Sequence, residues 1–253
     1  MTNREEMIHP TALISDGVAL GSNVSVGPFS IIHEGVTIGS GSRIGSHCEI
    51  GIFSDMASEK TLVIGKDSHI RSHSILYIGS SFGKELITGH RVTIRENTVA
   101  GTNFQVGTLG DIQGDCSVGN YVRLHSNVHL GKSSKIGNFV WIFPYVVLTN
   151  DPHPPSDVCM GVTVGDYSVI ATMATILPGI TISEGALIGA HSLVNRDVSS
   201  NTIVAGVPAK LIGPTSRIKL TNAPEDDAYP WRRHFRRGYP EEIISEWKAE
   251  FHD

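Results

Sequence analysis

Aliphatic residues recur at every sixth position over most of this chain. Three registers of such anchor positions follow one another, from Leu20 to Ile50, from Ile64 to Leu148 and from Val164 to Val194. Many anchors are followed directly by glycine, and a small residue often lies four places after an anchor. A period of six is neither the helical period of 3.6 nor simple strand alternation. It predicts one short strand and one turn, repeated along the chain.

Three such units, about 18 residues, would close one triangular coil, with coils stacking at about 4.8 Å. The anchors would then point inward as ladders of Ile and Val. The glycines are expected to supply corner conformations that a Cβ would penalise. The pattern therefore predicts an all-β fold, a parallel β-helix of about ten coils over residues 8–213.

The register slips at residues 52–62 and 149–162, and the repeats stop before residues 214–253. Loops that leave a regular solenoid often carry function, so the second loop is expected either to reach an active site or to be a plain insertion. Pro240, followed by two acids, is typical of a helix start. This helix is expected to cover the unpaired edge of the last coil.

Composition narrows the classes of function. Of 253 residues, 40% are hydrophobic and the net charge is −5, which argues against a nucleic-acid partner. Residues 1–10 contain two acids and no apolar stretch, so no signal peptide is expected, and no run approaches the roughly 20 apolar residues of a membrane span. Three widely separated cysteines, Cys48, Cys116 and Cys159, indicate reduced thiols and a cytoplasmic location.

Several segments resemble a known superfamily. Residues 8–12 and 27–29 (IHPTA, GPF), with 114–120 (GDCSVGN), are similar to the lipid A UDP-N-acetylglucosamine acyltransferases. Residues 176–179 and 205–210 (ILPG, AGVPAK) are similar to the coenzyme A end of sugar acetyltransferases. The chain therefore resembles the hexapeptide-repeat acyltransferases. The resemblance implies a left-handed helix, a homotrimer, and acyl-coenzyme A or acyl carrier protein as acyl donor.

One departure from the resemblance bears on the substrate. Where the lipid A enzymes and many sugar-nucleotide N-acetyltransferases have a histidine before the acidic residue, this chain has Gly114 before Asp115. Nucleotide-sugar N-acyltransferases without that histidine also exist in the superfamily. An amine with a pKa of about 8 needs only a weak base to remove its proton, whereas a sugar hydroxyl needs a stronger one. The departure favours N-acylation of a nucleotide-linked amino sugar, for surface polysaccharide or O-antigen synthesis. Sugar O-acetylation and lipid A-type acylation stay as alternatives.

Three residues are candidate catalytic groups. Glu96 precedes Gly114 by 18 residues, one coil away on the same face, although pairing with Arg95 or Arg91 would leave it structural. His125 follows an anchor and is either a base or a solvated corner residue. His153, in the Pro-rich loop, resembles the loop histidine of galactoside acetyltransferases.

Candidate binding residues accompany these groups. Asn97 is expected to orient the sugar or to hold the oxyanion, or else to be a structural corner residue, and Asn150 and Asp151 are expected to contact sugar hydroxyls. The co-substrate is expected to be acetyl-CoA or another acyl-CoA, with no metal required. The corresponding coenzyme A positions are Ala171 and Gly189 along the pantetheine arm, and Arg196 and Lys210 near its phosphates.

Two other classes of function compete. Twelve histidines raise the possibility of a zinc-dependent hydratase, the β-helical carbonic anhydrase, for which His69 with His73, or His125 with His129, offer pairs four residues apart. In a hexapeptide corner such pairs would face different ways. The other class is a non-catalytic trimeric scaffold, which would not bind coenzyme A.

Overall fold

The computed structural model describes residues 7–251, and they form a left-handed parallel β-helix followed by an irregular extension. The predicted all-β fold of about ten coils is confirmed. The expectation that no signal peptide is present concerns residues 1–10, of which the first six lie outside the described residues.

Three parallel sheets form the sides of the prism, and successive strands of the chain enter them in turn. Face 1 contains the strands Leu13–Ile14, Ile31–Ile32, Glu49–Ile52, Ile75–Tyr77, Thr93–Ile94, Asp111–Ile112, His129–Leu130, Val147–Leu148, Thr175–Ile176 and Leu193–Val194. Face 2 contains Ala19–Leu20, Val36–Ile38, Leu62–Ile64, Ser81–Phe82, Val99–Ala100, Ser117–Val118, Lys135–Ile136, Thr163–Val164 and Thr181–Ile182. Face 3 contains Ser25–Val26, Arg43–Ile44, His69–Ile70, Ile87–Thr88, Gln105–Val106, Arg123–Leu124, Trp141–Ile142, Val169–Ile170, Leu187–Ile188, Thr202–Ala205 and Lys210–Pro214.

Each coil therefore has three corners. The chain turns from face 1 to face 2 at the first corner, from face 2 to face 3 at the second, and from face 3 to face 1 of the next coil at the third. The first corner lies opposite face 3, because face 3 is the side that does not meet it.

Aliphatic ladders fill the prism. On face 1, Ile32, Ile50, Ile94 and Ile112 are fully buried, and each pairs with the anchor of a neighbouring coil. Small polar residues such as Ser30 complete the interior by donating to backbone carbonyls of the next coil. Every layer buries its apolar groups only against its neighbours, so stability accumulates along the stack.

Most glycines after the anchors have a different role from the one expected, although Gly51 does have a positive φ of 90°. Gly39 and Gly119 do not have positive φ; a Cβ at Gly39 would lie 2.5 Å from the backbone nitrogen of Lys66, and one at Gly119 would lie 2.6 Å from the carbonyl oxygen of Gly137. The positive-φ positions come two residues later and are often large, as at Tyr121 (φ 57°). Glycine is therefore needed here for close approach between coils.

The extension packs against the side of the prism. It contains a 3₁₀ turn at Thr215–Arg217, an antiparallel pair Lys219–Leu220 and Ala223–Asp227, a second 3₁₀ turn at Trp231–Arg233, and the helix Glu241–Phe251.

The expectation that the helix covers the last coil is wrong. Its Trp247 packs against Phe139 and Tyr167, which lie at the second corner in the middle of the stack. Strand Lys210–Pro214 covers the edge of the last face 3 strand instead, by antiparallel pairing with Thr202–Ala205. An aromatic-rich helix gains more from the aromatic surface there than from a polar strand edge.

Candidate active site at the first corner

Both interruptions of the repeat leave the prism at the first corner. Ile38 pairs with Ile64, and Ile136 pairs with Val164, so each pairing spans more than the usual 18 residues. The extra residues form loop 1 (residues 53–61) and loop 2 (residues 149–162). The two loops bracket the first corner of the coils between them. We call this stretch, with the adjoining outward side chains of face 1, the corner site.

A polar chain runs across the corner site. The Asn97 amide nitrogen donates to Asp115 Oδ1 at 2.7 Å, and Lys132 Nζ lies 3.0 Å from Asp115 Oδ2. The Asn97 oxygen accepts from the backbone N–H of Ser58, and its amide nitrogen also donates to the carbonyl oxygen of Met56. The predicted sugar ligand Asn97 therefore holds loop 1 against Asp115.

Glu96 lies beneath Gly114 as its spacing predicts, since Asp115 N–H donates to the Glu96 carbonyl oxygen. Its side chain is 1% exposed, and Arg95 holds both carboxylate oxygens, through Nη2 at 3.0 Å and Nε at 3.3 Å. This carboxylate orients Arg95 at the rim of the corner. The backbone at position 114 also disfavours a histidine there. Gly114 has φ +92°, and a Cβ at this position would lie 2.8 Å from the Glu96 carbonyl oxygen.

A histidine–aspartate pair lies on the face 1 side of the same corner. His129 Nδ1 is 3.0 Å from Asp111 Oδ2, and Gln113 Nε2 donates to the same oxygen at 2.8 Å. The hydrogen bond from His129 is the main cause that lowers the pKa of Asp111, which is therefore ionised at neutral pH. An ionised carboxylate only accepts hydrogen bonds, so His129 carries its proton on Nδ1 and presents Nε2 as a base.

The sequence analysis did not identify this pair as catalytic. The sequence nevertheless contains a signal that could have identified the pair. Asp111 and His129 are 18 residues apart, and each directly precedes an anchor, Ile112 and Leu130. Residues in that position point outward from neighbouring coils of one face, which brings the two side chains together.

Loop 2 folds back on itself and on the corner. The Asp151 carboxylate accepts from the backbone N–H groups of His153 and Ser156 and from the Ser156 hydroxyl. The Ser156 hydroxyl is the main cause that lowers the pKa of Asp151. Asn150 contacts Cys159 Sγ at 3.6 Å, and that thiol reaches the carbonyl oxygen of Lys132 at 3.8 Å. The loop therefore carries the exposed His153 above the corner site.

His125 lies elsewhere, at the third corner. Its ring stacks on Phe143, with centroids 4.7 Å apart and planes 13° apart, and lies 5.9 Å from Trp141. Burial lowers the pKa of His125, so the ring is neutral at pH 7. Within one chain, His125 is not brought together with Glu96 and His153.

The predicted coenzyme A residues form two groups. Arg196 and Lys210 line one cavity of 420 Å³ at the end of the prism, which Pro208 also lines. Ala171 and Gly189 stack at the third corner of neighbouring coils, where Ala171 N–H donates to the carbonyl oxygen of Ile188. The two cations predicted to meet phosphates thus lie in the same cavity.

The described residues meet the requirements of neither a metal site nor a membrane-spanning helix. Among residues 7–251, no three His, Cys, Asp or Glu side chains are grouped so that they could hold a metal ion. The same residues include no helix of the length and apolarity needed to span a bilayer.

Comparison with known proteins agrees with the fold. The family described as bacterial transferase hexapeptide (six repeats) matches residues 17–51. The fold resembles the UDP-N-acetylglucosamine acyltransferase from Campylobacter jejuni, with a TM-score of 0.53 and 19% identity over 97% of this chain and 85% of that one. These likenesses are to proteins of the hexapeptide-repeat acyltransferase type.

Curated relatives of this hexapeptide-repeat protein are similar over part of their length. Serine acetyltransferase 2 of Arabidopsis thaliana is 36% identical over 121 residues, which cover 45% of this chain and 35% of the relative. Galactoside O-acetyltransferase of Escherichia coli (strain K12) is 30% identical over 114 residues, which cover 36% of this chain and 56% of the relative. The matched region is therefore less than two thirds of either relative.

Proposed function

We propose that this protein transfers an acyl group, acetyl in the first instance, from acyl-coenzyme A to a small acceptor at the corner site, with His129 as general base. The observation that carries the proposal is the Asp111–His129 pair, with Nε2 of the imidazole free of bonds to other described residues. Partial similarity to named acetyltransferases supports the reaction class, and the two flanking loops support the location.

The reaction needs one proton to move twice. His129 Nε2 takes the proton from the acceptor nucleophile as its electron pair attacks the thioester carbonyl carbon. The carbon–sulfur bond then breaks, and the departing thiolate of coenzyme A receives that proton. Asp111 holds the imidazole in the required tautomer and stabilises its charged form. Lys132 and Arg95 add positive charge near the developing oxyanion.

The acyl donor is placed by the residues nearer the end of the prism. Arg196 and Lys210 would bind its phosphates in the 420 Å³ cavity that they share. Ala171 and Gly189 offer backbone groups along the third corner for the pantetheine arm. Because Ala171 and Gly189 lie at the third corner and the corner site at the first, we propose a homotrimer in which one subunit supplies these donor-binding residues and its neighbour the base.

The acceptor we favour is the amino group of a nucleotide-linked sugar, in cytoplasmic synthesis of a surface polysaccharide. Loop 2 supports this choice, because its carboxamide, carboxylate and imidazole groups (Asn150, Asp151, His153) offer hydrogen bonds to a polyhydroxylated ligand. O-acetylation is the second candidate. The Asp111–His129 pair favours it, since a hydroxyl needs the stronger base that Gly114 does not provide.

The test is release of coenzyme A from acetyl-CoA with dTDP-, UDP- and GDP-linked amino sugars and with their hydroxyl counterparts. His129→Gln should lower kcat by roughly 10²- to 10⁴-fold, with little change in KM. Asp111→Asn should lower it less. Turnover of the hydroxyl sugars alone would refute N-acylation.

The chain offers a matched control. His33 Nε2 lies 3.1 Å from Glu49 Oε1, so this is another half-exposed histidine–carboxylate pair near face 1, several coils from His129. His33→Gln should leave kcat unchanged. Equal losses in His33→Gln and His129→Gln would show that the effect is structural, and His129 would not be the base.

A further inference from the structure

Face 3 has a groove between its outward side chains and the C-terminal extension. Gln105, Arg123 and Trp141, from successive coils, form its floor. Arg71 at the third corner forms one wall, and Phe235 and Arg237 of the extension form the other. The groove has a volume of 440 Å³ and lies on the side of the prism opposite the corner site.

The groove is strongly basic. Three guanidinium groups (Arg71, Arg123 and Arg237) line it, and no carboxylate does. The charge extends to the neighbouring coil, where burial first, and then Arg71 and Arg43, lower the pKa of His69. On a chain with a net charge of −5, this concentration of positive charge favours an anionic ligand.

Arg123 is the most unusual of these three cations, because its side chain is buried. It is 8% exposed, and none of the described carboxylates lies within ion-pair distance of it, although Glu85 attracts its charge from farther away. Its Nη1 donates to the carbonyl oxygens of Asn103 and Val122, and its guanidinium lies 5.5 Å from the Tyr239 ring centroid. Both hydrogen bonds come from Nη1, so they use one of the three guanidinium nitrogens. Buried arginine is rare without a counter-ion, so an anion from outside the chain would complete the site.

An aromatic cavity adjoins the basic groove and shares two of its side chains, Trp141 and Phe235. This cavity, 160 Å³ in volume, is also lined by Phe143, Tyr229 and Trp231. Flat apolar walls of this kind suit a planar ring, which would stack on them while its charged part lay among the arginines.

We propose that the groove binds a nucleoside diphosphate, with the base in the aromatic cavity and the phosphates on Arg123, Arg71 and Arg237. The site lies across the prism from His129, and its choice of ligand rests on the proposed function, whose acceptor and donor both carry nucleotide phosphates. Two sources could supply this chemistry: the nucleotide of a nucleotide-linked sugar, or the adenosine phosphate end of coenzyme A.

Calorimetric titration of the full chain with UDP, dTDP, GDP, ADP and coenzyme A tests the site. Arg237→Gln should weaken binding of the preferred nucleotide about tenfold or more, through loss of a charge-assisted hydrogen bond. Arg233→Gln is the matched control, because Arg233 lies in the same extension, packs on Phe251 and does not line the groove. It should leave the affinity unchanged. Phe235→Leu should weaken nucleotide binding more than pyrophosphate binding.

The outcomes distinguish the two sources of the nucleotide, and they distinguish the groove from the proposed acyl transfer. Preference for pyrimidine or guanine diphosphates identifies a nucleotide-linked sugar, and preference for ADP and coenzyme A identifies the acyl donor. Absence of nucleotide binding in an enzyme that still acylates would overturn the groove and leave the reaction standing. Equal weakening by Arg237→Gln and Arg233→Gln would also overturn it, since only general charge would then be involved. Inactive His129→Gln protein that binds nucleotide normally would support the groove on its own.

Discussion

At the residue scale, chemistry in this protein depends on positions one coil apart. Asp111 and His129 meet because 18 residues return the chain to the same place on face 1, and Asn97, Asp115 and Lys132 form the adjoining polar chain in the same way. Each of these side chains lies within one turn of a buried anchor, so the rigid stack determines its direction. Such positioning suits a catalytic pair, which loses function when its geometry relaxes.

Acidification should destabilise the protein through His125. Burial holds the pKa of His125 below its ordinary value of 6.5, so the unfolded chain binds this proton more readily than the folded one. The contribution to stability is complete above pH 6.5 and is lost as the pH falls through the folded-state pKa. Urea unfolding between pH 7.5 and 5 should show falling stability, and less of a fall in His125→Gln. The exposed His191, replaced by Gln, provides the control. An unchanged slope in His125→Gln would contradict the assignment.

One thiol per chain should react quickly with Ellman's reagent in the native protein. Cys159 is exposed on loop 2, whereas Cys48 and Cys116 are 1% and 2% exposed. Burial raises the pKa of Cys116 to about 11, which leaves little thiolate at pH 8. Cys159→Ser should abolish the fast phase, and the other two thiols should react only on unfolding. A fast phase that survived this substitution would mean that the interior ladder opens.

At the scale of the element, a strand of two or three residues has no stability of its own. The short strands persist because each pairs on both sides and buries its anchor in a continuous ladder. Loops 1 and 2 interrupt this order only at the first corner, where the pairing resumes in register beyond each insertion. The corner site is therefore built on rigid strands with adaptable loops above it.

Removal of a single ladder side chain should be costly. Ile112→Ala at a fully buried anchor should lower the free energy of unfolding by about 2–5 kcal/mol. Val99→Ala, at an outward position of face 2 that is 55% exposed, should change it by roughly 0.5 kcal/mol or less. Denaturant unfolding of both variants measures the difference. Equal small losses would indicate that the layers do not share one cooperative core.

At the scale of the whole molecule, the coils stack along one axis and the C-terminal extension packs against the side of the stack. Trp231, Tyr239 and Trp247 attach residues 214–251 to face 3 through a connected set of aromatic contacts. The extension thereby forms one wall of the basic groove, while loop 2 projects from the opposite side. The two proposed ligand sites are separated by the width of the β-helix.

The proposed homotrimer should be visible in solution. Light scattering after size exclusion should give a mass about three times 27.2 kDa, because Ala171 and Gly189 at the third corner need a neighbouring subunit to meet His129 on face 1. Coenzyme A should not dissociate the assembly. A monomer with full acyl-transfer activity would contradict the shared site.

The sequence by itself determined the stacked-coil architecture, because aliphatic anchors at every sixth position are buried when short strands stack into coils, and its breaks in register predicted where the two loops leave the stack. It also placed Glu96 beneath Gly114, and put Arg196 and Lys210 near the end of the prism. Only the tertiary structure decided that Glu96 is buried against Arg95, that Asp111 and His129 pair, and that the helix lies on face 3. These outcomes depend on side-chain direction and on aromatic contacts between segments about 100 residues apart, such as Trp141 with Tyr239, which no local pattern encodes.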